Sequence, residues 1–159
     1  MPRLVILGLG NSILSDDIVG LKILDYLQKV ITSPQINLEV AEIGGLKLLD
    51  SILDYDHAII IDSIKTGQFP IGEIVEFSPA DFNFTPRSSM IHDVGFFDAL
   101  LMAKKLEMKI PEVIKIVAVE IGDNSTVSLN MSKEVEAAAL QAVERVLDII
   151  QNEYNYQIC

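Results

Sequence analysis

The stretch "RLVILGLGNSILSDDIVG" (residues 3–20) decides the fold. Its first part, "RLVILGL" (3–9), is too uniformly apolar for a strand with one face in water, so it reads as a strand inside a sheet. From Ile18 to Ile31, Gly20, Leu24, Leu27 and Ile31 recur at helical spacing, and Ile23 and Val30 widen the stripe. A buried strand that passes through a short polar turn into an amphipathic helix opens an α/β layer structure with a largely parallel sheet.

The remaining chain repeats the alternation. "NLEVAEI" (37–43) reads as a strand and "GGLKLLDSIL" after it as a turn into a short helix. "HAIIIDSI" (57–64) is a second buried strand, and "GEIVEFSP" (72–79) alternates as an edge or hairpin strand does. Ala80 to Met90 reads as an irregular loop. "DVGFFDALLMAKKLEM" (93–108) is helical and stops before Pro111. "VIKIVAVEI" (113–121) is a further strand, and Ser132 caps a long helix whose buried face carries Val135, Ala139, Ala142, Val146 and Ile149. The expectation is a single domain over 1–159 with three layers, a twisted, mostly parallel sheet of about five strands and helices on both faces.

Composition narrows the function. A chain of 159 residues can bury a core without disulfides or a structural metal. Half the residues are hydrophobic against 22% charged, which excludes a disordered chain. The longest apolar runs fall far short of the roughly 20 residues of a membrane span. The opening apolar run is followed by Asn11, Asp16 and Asp17, where a secretory signal would carry a small-residue cleavage site, so it reads as a first strand. A formal charge of −11 repels a nucleic-acid backbone, and no nucleic-acid partner is expected. The single cysteine, Cys159, has no thiol partner in the chain, which makes the cytoplasm the expected compartment.

The loop between the first strand and helix meets several chemistries poorly. Gly8 and Gly10 suggest a dinucleotide turn, but Ile13 stands at the third glycine, and Asp16 and Asp17 would repel a pyrophosphate. No Gly-Lys-Ser/Thr follows, so a P-loop is absent. Ser15, Asp16 or Asp17 caps the helix, and one acidic residue satisfies that need. The second lies beyond the carboxyl end of a strand, where open α/β sheets bind ligands. From the loop alone, capping and function stay balanced.

Asp62 follows the buried "HAIII" run and, if the strands are parallel, emerges on the same edge, either as a cap or as a ligand. Of the two histidines, His57 begins that strand, roughly 15–18 Å from Asp62, and reads as a surface residue. His92 stands just before a helix. Asp17, Asp62 and His92 all sit where the chain enters or leaves regular structure, and an aspartate–aspartate–histidine set suits a divalent transition metal with open positions. His-Glu-x-x-His, Gly-x-Ser-x-Gly, an aspartic-protease Asp-Thr/Ser-Gly and a nucleophilic cysteine are all missing.

With those residues in hand, the chain resembles the hydrogenase maturation proteases, which trim the C-terminal tail from the large subunit of [NiFe] hydrogenases after nickel insertion. The likeness runs through "GLGNSILSDDIVG", "GG" at 44–45, "IIIDSI" around Asp62, "GEI" at 72–74, "HDVG" at 92–95 and "LNMSKEVEAAALQAVERVL". The chain departs from the family's pattern at Glu42, at Leu46 and in "VEIGD" (119–123), where an aspartate, a small hydroxyl residue and a proline after the glutamate are expected.

The resemblance implies an endopeptidase acting on the [NiFe]-hydrogenase large-subunit precursor, with Asp17, Asp62 and His92 as metal ligands and Asp16 left to the loop or cap. It implies that nickel is the recognition element, supplied by the precursor, although another divalent transition metal can substitute. Asp17 or Asp62 is the candidate general base. A monomer is expected. Two rivals stand beside this reading: a nonenzymatic nickel-binding hydrogenase maturation chaperone, and a different α/β hydrolase or phosphatase with the same triad.

Overall fold

The computed structural model describes residues 1–10, 18–41, 46–79, 95–122 and 131–159. Among these residues five strands form one sheet in the order β2-β1-β3-β5-β4: β1 Leu4–Leu9, β2 Ile36–Ala41, β3 His57–Ile64, β4 Ile74–Phe77 and β5 Val113–Glu120. β1 pairs parallel with β2 and β3, and β3 pairs parallel with β5. β4 is the antiparallel edge strand, hydrogen-bonded to β5. The expected α/β class with a mostly parallel sheet is what the structure has.

Among the described residues, four helices cover the sheet: α1 Val19–Val30, α2 Leu46–Ile52, α3 Gly95–Lys105 and α4 Lys133–Asp148, the last running on as a π-helical turn over Ile149–Glu153. Strand alternation sorts the core into two halves. Leu4, Ile6, Ile59, Ile61, Val117 and Val119 pack against α1 and α4. Val5, Leu7, Ala58, Ile60, Ile116 and Ala118 pack against α2 and α3. β1 and β3 are buried on both faces, which is why their sequences read as continuous apolar runs rather than alternation.

Two details of the reading change. Val30 is 46% exposed, so the buried stripe of α1 ends at Leu27 and resumes only at Ile31 beyond the helix. β4 holds the edge but forms no hairpin with β3. The edge of β3 that it would need is occupied by β5, and the 65–73 connection carries the chain past that strand.

α1 approaches the sheet through a pair of glycines. A Cβ on Gly20 would lie 2.2 Å from the Leu9 carbonyl oxygen and 2.8 Å from that of Ile61. A Cβ on Gly8 would lie 2.9 Å from the Gly20 carbonyl oxygen and from Leu24 Cβ. The obstacles at Gly20 are backbone atoms, so no rotamer relieves them.

The far end of α4 is tied to the β4–β5 edge by charge. The Arg145 guanidinium pairs with both carboxylate oxygens of Glu76, with Asp148 at 2.8 Å and with Glu153 at 2.7 Å. Lys115 bridges the same acids, 3.3 Å from Glu76 and 2.7 Å from Glu153. Arg145 and then Lys115 hold the Glu76 carboxyl below its ordinary 4.5, and Lys115 and then Arg145 do the same for Glu153.

Two measurements test this frame. Gly20→Ala should lower stability by about 3 kcal/mol, read from urea unfolding, because the helix must lift off two strands; an unchanged midpoint would refute the close approach. Since both carboxyls are depressed, their contribution is complete above pH 4.5 and is lost as pH falls below it through the folded values. Glu76→Gln should therefore make the acid limb of the stability profile shallower, and an identical slope in the variant would contradict the pairing.

Candidate active site

The parallel strands β1, β3 and β5 end on one edge of the sheet, here called the carboxyl edge. The chain goes from β1 outward to β2 and returns to β3 on the other side of β1, which makes the gap between β1 and β3 the topological switch point. Open α/β sheets bind ligands beyond the strand ends at such a point.

Asp62 sits there. It stands opposite Ala118 of β5, one residue past the Gly8–Ile61 pair of β1 and β3. The strand continues to Ile64, so the carboxylate is carried by regular ladder rather than by the loop after it. By alternation with Ala58, Ile60 and Ile64 it lies on the face covered by α2 and α3. Asp62 is 0% exposed, and its Oδ1 accepts the Ser63 N–H at 2.7 Å. Placing an acid on a dry apolar strand is costly. Packing alone would favour a further isoleucine at this position.

The helices that follow Asp17 and His92 in the chain, α1 and α3, both begin at the same edge. The start of α1 is held there by Gly20, whose backbone abuts the carbonyls of Leu9 and Ile61, the residue before Asp62. α3 ends near the amino edge, where the Lys109 carbonyl just beyond it accepts the Asp54 N–H, and leads into the start of β5. Its first residue, Gly95, therefore points toward the carboxyl edge, on the face that carries Asp62. Asp17 immediately precedes Ile18, and His92 lies three residues before Gly95. Asp16, Asp17 and His92 lie outside the described residues, as does the "GG" at 44–45. Among the described residues, no three His, Cys, Asp or Glu side chains gather to hold a metal.

A second acid at this edge escaped the sequence reading. Glu120, the last residue of β5, is 2% exposed, and its carboxylate accepts the Thr66 N–H at 2.8 Å, the Gly67 N–H at 3.3 Å and the Thr66 hydroxyl. Its signal in the sequence is the one that singled out Asp62, an acid closing a buried apolar run. No local pattern tells which of two such acids is consumed by a neighbouring loop.

His57 belongs to the opposite edge, as its place at the start of β3 implies, but it is packed rather than surface-bound. Its ring stacks on Tyr154 at 4.8 Å, and its Nδ1 lies 2.8 Å from the Tyr156 hydroxyl. Burial pushes both tyrosine hydroxyls up to about 12, so they stay protonated at neutral pH. A groove of about 500 Å³ also opens toward that edge, between Leu101 and Lys104 of α3 and Pro111 to Ile114. Neither feature adjoins Asp62.

The carboxyl edge thus offers a buried acid at a switch point, with the start of α1 held against the strand that carries it. A family model described as HycI, hydrogenase maturation protease, matches residues 21–149. The chain belongs to the hydrogenase maturation protease family. It is accordingly a hydrolase of the endopeptidase class. The hydrogenase 2 maturation protease of Escherichia coli (strain K12) is 28% identical over 148 residues, spanning 91% of this chain and 88% of that protein. The solved structure of the E. coli hydrogenase maturating endopeptidase HybD superposes with a TM-score of 0.81 at 26% identity, covering 95% of this chain and 93% of the other. The [NiFe] hydrogenase maturation protease HybD from Thermococcus kodakarensis gives a TM-score of 0.69 at 27% identity, covering 92% and 98%. No described helix of the protease is long and apolar enough to cross a membrane.

Proposed function

We propose that the protease removes the C-terminal extension of a [NiFe]-hydrogenase large-subunit precursor once nickel has been inserted. The observation that carries this reading is the fully buried carboxylate of Asp62 at the switch point of the sheet. Asp17 and His92 complete the proposed set, each within three residues of a helix that starts at that edge. Two carboxylates and one imidazole balance a divalent charge and offer the oxygen and nitrogen donors that suit nickel, with positions left for the precursor's own ligands.

In this reading nickel arrives as part of the substrate. Contact between the precursor's nickel and Asp17, Asp62 and His92 aligns the scissile peptide, so that a precursor lacking metal is bound without register and left uncut. Asp62, held on a strand rather than on a loop, supplies the rigid member of the set. An ionised Asp17 or Asp62 serves as general base toward the attacking water. Action in the cytoplasm, as a monomer, fits the acidic surface and the single cysteine.

The test is the mass of a purified precursor before and after incubation with the enzyme. Nickel-loaded precursor should lose its C-terminal segment, and metal-free precursor should stay intact. Asp17→Asn, Asp62→Asn and His92→Ala should each slow cleavage by about a hundredfold or more while keeping the wild-type circular dichroism. Asp16→Asn should stay within about threefold of wild type. Equal losses in Asp16→Asn and Asp17→Asn would break the division of labour between the paired acids. A loaded precursor of unchanged mass that still binds tightly would instead mark a nonenzymatic nickel-binding chaperone.

A further inference from the structure

Glu120 closes β5 on the face that carries Asp62, two residues past Ala118, the partner of Asp62 in the ladder. Its three side-chain contacts all go to one short segment, Thr66 and Gly67. Its backbone works in other directions. The Glu120 N–H donates to the Glu73 carbonyl at 2.9 Å, and its carbonyl accepts the Gly72 N–H at 2.8 Å. The next residue, Ile121, donates to the Ile64 carbonyl at 2.8 Å. One position therefore joins β5, the chain leaving β3 and the chain entering β4.

The strands do not need this carboxylate to pair, because the β3–β5 ladder runs unbroken from His57–Val113 to Ile64–Glu120. What the carboxylate adds is control of the turn. Thr66 is the fourth residue after Asp62, and two backbone N–H groups plus a hydroxyl on one buried acid leave that turn a single course beside it.

We propose that Glu120 is a positioning residue for peptide cleavage: it holds Thr66 and Gly67 as a fixed rim next to Asp62, acting as a hydrogen-bond acceptor and not through its charge. The assignment rests on the protease reading above. Its test compares kcat and KM on nickel-loaded precursor for wild type, Glu120→Ala, Glu120→Gln and Thr66→Val. Each is assayed well below its own melting temperature and normalised to folded protein.

Glu120→Ala should lower kcat about tenfold to a hundredfold with KM within about twofold, and amide exchange at Thr66 and Gly67 should accelerate. Glu120→Gln should recover most of kcat, because its amide oxygen accepts both N–H groups while its NH2 turns to the Thr66 hydroxyl. Thr66→Val, which leaves both N–H bonds to Glu120 but removes the hydroxyl's bond to it together with the Gln68 N–H bond that the hydroxyl accepts at 3.1 Å, should lose a few-fold in kcat and decides the matter if Glu120→Ala does not fold. Wild-type kcat in Glu120→Ala, with the loss confined to melting temperature, would overturn the assignment. So would wild-type kcat in Thr66→Val, or a Glu120→Gln enzyme as slow as Glu120→Ala. A wild-type enzyme that leaves the precursor whole overturns the protease reading itself, which is a different result from variants that cleave as well as wild type.

Discussion

The contact on which the rest of the structure depends is that of α1 with the sheet at Gly20. With hydrogen in place of a side chain, the helix backbone comes down onto the carbonyls of Leu9 and Ile61, on the two strands that flank the switch point. Gly8 gives up its own side chain to the same contact from the sheet side. Any larger residue would push the start of α1 outward, and with it the point at which the chain returns after β1. The apolar residues Ile23, Leu24 and Leu27 then seal the helix along its length, but the glycines decide where it begins.

The two edges of the sheet are built from different materials. At the amino edge the chain after α4 folds back: Tyr154 and Tyr156 enclose His57, and the Ile158 carbonyl accepts the N–H groups of Thr32 and Ser33 ahead of β2. That edge is sealed by aromatic rings and backbone bonds. At the carboxyl edge the buried charged side chains among the described residues are acids, Asp62 and Glu120, on adjacent strands and one face. They differ in what they hold. Glu120 is taken up by the Thr66–Gly67 turn, while Asp62 Oδ1 accepts the N–H of the next residue on its own strand, Ser63. A fold that needed only stability would place apolar residues at both.

Much of this was legible in the residues because burial on both faces leaves a mark that does not depend on partners. "HAIIIDSI" delimits β3 at both ends, and the uniform apolarity of "RLVILGL" locates β1 inside the sheet. An acid breaking such a run is visible for the same reason, and Asp62 stood out. The features that stayed hidden are all long-range. The partner of β4 is chosen by which sheet edge is vacant, the neighbours of His57 lie almost a hundred residues away at Tyr154 and Tyr156, and Glu120 reaches Thr66 across a crossover. The ion pairs of Arg145 with Glu76 belong to the same class. Asp17 and His92 were marked by residue type and place in the chain, and they lie outside the residues described.

The course of the chain after α4 also settles how the molecule can be handled. It brings Ile158 against Thr32 and Ser33 at the amino edge, and the exposed Cys159, the single thiol of the 159 residues, follows directly. A fluorophore, a spin label or a maleimide-coated surface attached at that sulfur would sit on the side of the sheet away from Asp62. The molecule carries a ready-made anchoring point that leaves the carboxyl edge facing solution.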